Sequence, residues 1–126
     1  MKHTVLIVDD SADYRRIFSR ILAAGGFRVL TAGSAEEARL LLATTPPDAA
    51  LLDWNLPGDS GIDLAREIRR DPRLARMPLL MLSVNARPED QIQGLSEGGV
   101  NAYLTKPVDS QELLARLNAL LGKNRR

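Results

Sequence analysis

The sequence contains no cysteine, which excludes disulfide bonds, thiolate metal sites and cysteine nucleophiles. It also lacks any apolar run near the ~20 residues that a membrane-spanning helix requires. The apolar run at residues 5–8 is too short for the core of a signal peptide, and two aspartates follow it directly. We therefore expect a cytoplasmic protein without a signal peptide or a membrane anchor.

The sequence also lacks a surplus of charge of either sign. It has 17 Lys and Arg residues against 16 Asp and Glu residues, a net charge of +1, so no strong field attracts nucleic acid or an anionic membrane. The 126 residues, of which 44% are hydrophobic, suffice for one globular domain with a single core. We expect residues 1–122 to form this domain and residues 123–126 to be a basic tail or a linker remnant.

Short apolar segments alternate with segments of helical periodicity along the whole chain. The first apolar segment is a continuous, β-branched run, which is typical of a strand buried on both faces of a parallel sheet. Right-handed crossovers then place helices on both sides of the sheet. The sequence therefore predicts a doubly wound, flavodoxin-like (βα)5 sandwich of three layers, with five parallel strands in the order 2-1-3-4-5. The predicted strands are residues 4–8, 27–32, 49–53, 77–82 and 100–104.

Capping residues mark where the predicted helices begin. Ser11 and Ser60 can cap the first and third helices. Ser34 and Asp109 are each followed three residues later by a glutamate, which resembles a capping box at the second and fifth helices. We interpret these glutamates, Glu37 and Glu112, as structural.

Apolar spacing and glycines indicate the extent of the helices. The fourth helix, from about residue 88 to 97, carries Ile92 and Leu95 and stops at the glycines 98–99. The fifth helix is expected to end before Gly122. The apolar face of the first helix consists of Tyr14, Ile17, Phe18, Ile21 and Leu22.

Polar residues stand at or just after the ends of four of the five predicted strands. Asp9 and Asp10 follow the first strand, Asp53 ends the third, and Ser83 and Lys106 follow the fourth and fifth. The carboxyl ends of the strands are where doubly wound folds bind ligands, so we expect one shared site. Three carboxylates brought together repel one another unless cations balance them, which implies a metal ion and the lysine.

Oxygen ligands without nearby histidine or cysteine favour Mg²⁺ at this site, with Mn²⁺ as an alternative. The single histidine, His3, precedes the first strand. We expect it to be a solvated terminal residue and not a ligand.

Three motifs resemble those of the receiver domains of two-component response regulators, including chemotaxis regulators. They are VLIVDD at residues 5–10, LLDWNLPGDSG at residues 51–61 and YLTKP at residues 103–107. The resemblance covers essentially the whole chain. It implies a phosphoryl-accepting signalling switch, which catalyses only its own phosphorylation and dephosphorylation and is not otherwise an enzyme.

The resemblance assigns a role to each carboxylate. Asp53 is expected to be the phosphoacceptor. Asp10 and Asp53 are expected to ligate Mg²⁺ together with the backbone carbonyl of Asn55, and Asp9 is expected to contribute through water. Phosphoryl transfer needs positioning and charge neutralisation more than covalent help, so these assignments agree with the chemistry of the residues.

The resemblance also assigns the other strand-end residues. Ser83 and Lys106 are expected to hold the phosphoryl oxygens, and the peptide bond between Lys106 and Pro107 is expected to be cis. Ser83 would move toward the phosphoryl group and Tyr103 would turn inward behind it. The surface formed by the fourth helix, the fifth strand and the fifth helix would carry the signal.

Three further positions are expected to tune the lifetime of the phosphoryl group. Asn55 and Asn85 lie two residues after the phosphoacceptor and the switch serine, respectively. Val84 occupies a position where the family commonly has a smaller residue. We expect its bulk to narrow access to the acyl phosphate.

The resemblance also implies partners. A sensor histidine kinase or a histidine phosphotransfer protein would supply the phosphoryl group, and a downstream protein would receive the signal. The receiver domain would either stand alone or belong to a larger protein. Segment 99–103 lacks two acids that help transcription-factor receivers to dimerise, so we expect a monomer or a weak dimer.

Three alternatives use similar parts. A haloacid-dehalogenase-like phosphatase needs Asp-x-Asp, whereas this chain has Asp53 and Asn55, and asparagine cannot act as a general acid. A flavodoxin-type FMN carrier needs a phosphate-cradling first loop, which Asp9 and Asp10 would oppose. A pseudo-receiver that only binds partners would not need the complete set of site residues.

Overall fold

The structure is a computed structural model that describes residues 2–84 and 87–124. Its seven strands are β1 Thr4–Val8, β2 Arg28–Ala32, β3 Ala49–Asp53, β4 Asn55–Leu56, β5 Asp59–Ser60, β6 Leu79–Ser83 and β7 Ala102–Thr105. Its five helices are α1 Ala12–Ala24, α2 Ala35–Thr44, α3 Gly61–Arg70, α4 Pro88–Ser96 and α5 Ser110–Asn124. Asn85, one of the expected tuning positions, lies outside the described residues.

Five strands form one parallel sheet in the order β2-β1-β3-β6-β7. Counted within this sheet alone, that order is 2-1-3-4-5, so the predicted topology is confirmed. The sequence did not predict the short antiparallel pair β4 and β5, which lies between β3 and α3. The turn of this pair is Pro57-Gly58, where Gly58 has a φ of 76° that glycine adopts without steric cost.

The core lies on both faces of the sheet because successive strand residues point to opposite sides. In β1, Leu6 and Val8 join one cluster with residues of α2 and α3, whereas Val5 and Ile7 join the other with residues of α1 and α5. Every residue of β3 and β6 is buried. This burial explains why their sequences are continuous apolar runs, and it confirms the three-layer arrangement.

The predicted helix starts are confirmed by side-chain caps. The hydroxyls of Ser11, Ser34 and Ser60 each accept a hydrogen bond from the backbone N–H three residues later. Glu37 also accepts a hydrogen bond at 3.1 Å from the backbone N–H of Gly33, the residue before the capping Ser34. These caps fix the point at which each strand-to-helix loop ends.

Helix α5 extends beyond its predicted end, and the apolar residues of α4 lie at the surface. Helix α5 continues through Gly122 to Asn124, because Gly122 does not adopt the positive φ with which a terminal glycine stops a helix. In α4, Ile92 and Leu95 are 65% and 46% exposed, so the apolar residues of this helix do not face the core. None of the described helices is long and apolar enough to cross a membrane.

Candidate functional site

The parallel register brings four polar strand ends to one edge of the sheet. The residue that follows each strand continues the hydrogen bonding by one step: Asp9 N donates to Ala32 O at 3.1 Å, and Lys106 N donates to Ser83 O at 2.7 Å. Asp53 is the last residue of β3 and pairs with Leu82 in β6. The sheet therefore sets the backbone positions of these polar residues.

Three carboxylates converge at this edge. Asp9, Asp10 and Asp53 each offer one oxygen, and the three oxygens lie within 4.8 Å of one another. Asp9 and Asp53 are buried, whereas Asp10 is exposed. The cluster is therefore open to solvent at Asp10 and closed at its base.

The lysine predicted to balance these charges lies against them. Lys106 Nζ is 2.6 Å from Asp9 Oδ2 and 3.5 Å from Asp53 Oδ1. Its side chain is only 4% exposed, so this is a buried ion pair with two carboxylate partners. One cation facing three carboxylates leaves a surplus of negative charge at the site.

Asp9 is the most firmly held of the three carboxylates. Its Oδ1 accepts a hydrogen bond from Ser11 N at 2.9 Å, while its Oδ2 accepts one from Lys106. Its backbone carbonyl accepts a hydrogen bond from Arg15 Nη1 at 2.7 Å. With both carboxylate oxygens engaged, Asp9 acts as a fixed anion beside Asp53.

The environment of Asp53 makes its negative charge costly. The pKa of Asp53 is raised from 3.8 to about 6, mainly by burial and then by the charge of Asp9, with a smaller contribution from Asp10. Lys106 and a backbone hydrogen bond from Asn55 oppose this rise. Asp53 is still a carboxylate at neutral pH, but an added cation would stabilise it strongly.

A second set of side chains extends from Asp53 toward α4. Ser83 is buried at the end of β6, and Tyr103 in β7 is partly buried. Burial raises the pKa of Tyr103, and a hydrogen bond with Ser83 opposes that rise. The Tyr103 ring meets the Trp54 ring edge-on, with centroids 5.9 Å apart. Ser83 therefore connects the carboxylate pocket to an aromatic pair.

The remaining predicted site residues lie around this pocket. Asn55 is exposed in β4, two residues after Asp53. Val84 is 67% exposed and directly follows Ser83. The peptide bond between Lys106 and Pro107 is cis.

Comparison with known proteins identifies the family. The sequence model of the response regulator receiver domain family matches residues 5–118 of this chain. The chain belongs to this family. Receiver domains are signalling modules and not classical enzymes.

Individual relatives agree with this assignment. The chain is 42% identical to the phosphate regulon transcriptional regulatory protein PhoB of Pseudomonas aeruginosa, over 95% of this chain and 52% of the relative. It is 36% identical to PhoB of Escherichia coli, over 98% of this chain and 53% of the relative. The receiver domain thus spans about half the length of these curated relatives.

Solved structures match almost end to end. A putative response regulator from Chloroflexus aurantiacus superposes with a TM-score of 0.93 and 36% identity, covering 97% of this chain and 99% of that one. The chemotaxis response regulator CheY4 of Vibrio cholerae gives a TM-score of 0.88 and 29% identity, covering 95% and 99%. These similarities support the flavodoxin-like fold of the receiver domain.

Three residues of this receiver domain's site were not predicted from the sequence. Arg15 holds the Asp9 backbone, and the ring centroid of Tyr14 lies 4.1 Å from the Lys106 Nζ. A Cβ atom at Gly61 would collide with the carbonyl oxygen of Asp53, so only glycine fits there. Gly61 is part of the motif at residues 51–61, whereas no pattern in the sequence indicated the contacts of Tyr14 and Arg15.

Proposed function

We propose that this receiver domain is a phosphoryl-accepting switch of a two-component system or phosphorelay, and that Asp53 accepts the phosphoryl group. One observation carries the proposal: the buried carboxylate of Asp53 lies beside two other carboxylates and 3.5 Å from a buried lysine. This combination provides a nucleophile, a cation site and a counter-charge for the transferred group.

The carboxylate cluster fits a hard divalent cation. Its donor atoms are oxygens, and the surplus negative charge is not balanced by Lys106 alone. Asp10, Asp53 and the backbone carbonyl of Asn55 would hold Mg²⁺ directly, and Asp9 would do so through water. When bound, Mg²⁺ supplies neutralising charge for the carboxylates and the phosphoryl oxygens, and Mn²⁺ could replace it.

The transfer step uses Asp53 as the nucleophile. A carboxylate oxygen attacks the phosphorus of a phosphohistidine in a sensor histidine kinase or a phosphotransfer protein, and the phosphorus–nitrogen bond breaks. The bonding electron pair returns to the imidazole, which then takes a proton from water. Lys106 turns from Asp9 to a phosphoryl oxygen, and Ser83 donates a hydrogen bond to another. Attack of water on the phosphorus later breaks the bond to the Asp53 oxygen and releases inorganic phosphate, which restores the carboxylate, so the domain acts catalytically only on itself.

The signal leaves through the side of the sheet that carries Ser83 and Tyr103. When Ser83 binds the phosphoryl group, its contact with Tyr103 changes, and the Tyr103 ring moves against α4. The exposed Ile92 and Leu95 of α4 suit contact with a downstream protein. Asn55, Val84 and Asn85 would set how long the phosphorylated state lasts.

The wider context is part of the same proposal. We place the domain at residues 1–122, in the cytoplasm, as a monomer or a weak dimer, either alone or within a larger protein. The curated PhoB relatives are transcriptional regulatory proteins about twice as long as the matched segment. For this chain we propose output through protein contact and not through direct binding of nucleic acid.

Incubation with acetyl phosphate and Mg²⁺ tests the phosphoacceptor. We expect intact-mass spectrometry to show one added phosphoryl group in the wild-type protein, none in Asp53→Asn, and full labelling in Asp13→Asn. Asp13 is a matched control because its carboxylate is exposed in α1 and outside the cluster. Chelation of the metal should abolish labelling. An unlabelled wild-type protein, under conditions that label another receiver domain, would contradict the proposal.

A further inference from the structure

The Lys106 ammonium faces an aromatic ring as well as two carboxylates. Its Nζ lies 4.1 Å from the centroid of the Tyr14 ring, well inside the ~6 Å over which a cation and a ring face attract each other. The transfer step described above uses the lysine and the carboxylates but gives this ring no part. The contact joins α1 to the loop after β7.

The Tyr14 ring is held in place from two directions. Ser11 caps α1, and its hydroxyl accepts a hydrogen bond from Tyr14 N at 3.2 Å, which fixes the backbone. One turn further along, the buried Phe18 ring stacks on the Tyr14 ring, with centroids 5.6 Å apart and planes inclined by 20°. The ring face is therefore presented to Lys106 by the fold.

Ring and carboxylates hold the lysine in different ways. The attraction of Lys106 to Asp9 and Asp53 depends on their charge, which a metal ion and a phosphoryl group neutralise or replace. The attraction to the ring depends on its quadrupole, which these events do not change. The ring can therefore hold the ammonium while its anionic partners change.

We propose that Tyr14 is a positioning residue for phosphoryl transfer, because its ring face keeps the Lys106 ammonium over Asp53 while the lysine moves from Asp9 to a phosphoryl oxygen. The inference rests on the proposed function, in which Lys106 binds that oxygen. In this proposal the face of the Tyr14 ring positions the ammonium, and the phenolic hydroxyl has no part in it.

Two variants separate the ring from the hydroxyl. We expect Tyr14→Leu to slow phosphorylation by acetyl phosphate by about 2-fold to 30-fold, the range that corresponds to the loss of one cation–ring contact. Tyr14→Phe keeps the face and should stay within about twofold of the wild type. An unchanged rate in Tyr14→Leu, or an equal loss in Tyr14→Phe, would overturn the proposal.

Two further variants separate the loss of the ring from poor folding or a general disturbance of α1. Tyr14→Met also removes the ring and should slow the reaction like Tyr14→Leu, so the test survives if one variant folds poorly. Ile17→Leu changes an exposed apolar residue of the same helix and should leave the rate unaltered. If Ile17→Leu slowed the reaction as much as Tyr14→Leu, general disturbance of α1 would be the cause and the proposal would fail.

A measurement without any phosphodonor tests the contact itself. The methylene protons next to Lys106 Nζ should resonate upfield in NMR spectra, because they lie over the ring; Tyr14→Phe should keep this shift and Tyr14→Leu should lose it. An absent shift in the wild type would refute the contact even if Asp53 is phosphorylated. If the shift is present but Asp53 takes no phosphoryl group, the proposed function and the positioning role fall together while the contact stands.

Discussion

Two aromatic pairs flank Asp53 on opposite faces of the sheet, and they account for four of the five aromatic residues in the chain. Tyr14 and Phe18 stack with nearly parallel rings on the face covered by α1 and α5. Trp54 and Tyr103 meet at an interplanar angle of 64° on the other face, beside α4. We call these the α1 pair and the α4 pair.

The pairs differ in what lies behind them. In the α1 pair, Phe18 is 1% exposed within the core, so the ring of Tyr14 rests on a fixed support. In the α4 pair, both rings lie against Gly94, which has no side chain; a Cβ there would be 3.3 Å from the Tyr103 ring. The α1 pair is therefore supported by the core, whereas the α4 pair packs closely on the backbone of a helix and its Tyr103 ring is partly exposed.

The largest expected effect is a difference in stability between the pairs. Phe18→Ala should lower the free energy of unfolding by about 3–5 kcal/mol, because it leaves a cavity in the core. Tyr103→Ala should cost clearly less, because Tyr103 is partly exposed and its surroundings can close. Urea denaturation measures both. Equal losses would show that the α4 pair is as firmly packed as the α1 pair.

The next effect concerns the carboxylate between the pairs. The pKa of Asp53 is raised from 3.8 to about 6, so between these values the native state binds the proton more tightly than the unfolded chain does. The resulting destabilisation is complete above about pH 6, decreases as the pH falls, and is gone below about pH 4. At ~1.4 kcal/mol per pKa unit it amounts to roughly 1–3 kcal/mol.

Asp53→Asn removes this cost. Without Mg²⁺ the variant should therefore be more stable than the wild type by roughly 1–3 kcal/mol at pH 7, and the difference should close toward pH 4. Mg²⁺ should narrow the difference at pH 7, because it binds the native wild type. Denaturant titrations across this pH range provide the test. A difference that does not vary with pH would rule out Asp53 as its source.

A smaller effect on stability, with a clear optical readout, is expected at Gly94. In Gly94→Ala, the higher helix propensity of alanine stabilises α4 by up to about 1 kcal/mol, whereas the added Cβ presses on the Tyr103 ring. The two effects oppose each other, so the net change in the free energy of unfolding should be within about 1 kcal/mol. The change in Trp54 fluorescence on phosphorylation should be reduced, because Tyr103 loses space. Gly122→Ala is the matched helical control, since nothing lies within 4 Å of its Cβ. A full Trp54 response in Gly94→Ala would show that the α4 pair does not need this space.

The smallest effect is expected at Val84. Its side chain is 67% exposed, so Val84→Ala should change the unfolding free energy by no more than about 0.5 kcal/mol. We expect faster phosphorylation by acetyl phosphate and faster decay of the acyl phosphate, since a smaller side chain widens access beside Ser83. Rates identical to those of the wild type would show that access is limited elsewhere.

Most of the fold and of the carboxylate cluster could be predicted from the sequence, for a physical reason. Strands buried on both faces are continuous apolar runs, so the first polar residue after each run marks the edge of the sheet. Asp9, Asp53 and Ser83 were found in this way, and Lys106 follows the fifth run with one residue between; parallel pairing brings all four to one edge.

Other features depend on tertiary contacts that a linear pattern does not contain. Helical spacing identified Tyr14 as an apolar residue of α1, but its contact with Lys106 comes from the packing of α1 beside β7's end. Ile92 and Leu95 indicated a helix and gave no sign that both side chains are exposed. The pair β4 and β5 consists of two residues in each strand, too few to produce an alternating pattern.

The ion pair between Lys106 and Asp9 joins residues that are 97 positions apart. It requires that β1 and β7, which lie on either side of the Asp53 strand β3, have both joined the sheet. Loop closure over such a distance comes at an entropic cost that only a completed core offsets. A truncated or misfolded chain would therefore lack the ion pair between Lys106 and Asp9. We expect such a chain not to accept a phosphoryl group, so that phosphorylation is restricted to the fully folded domain.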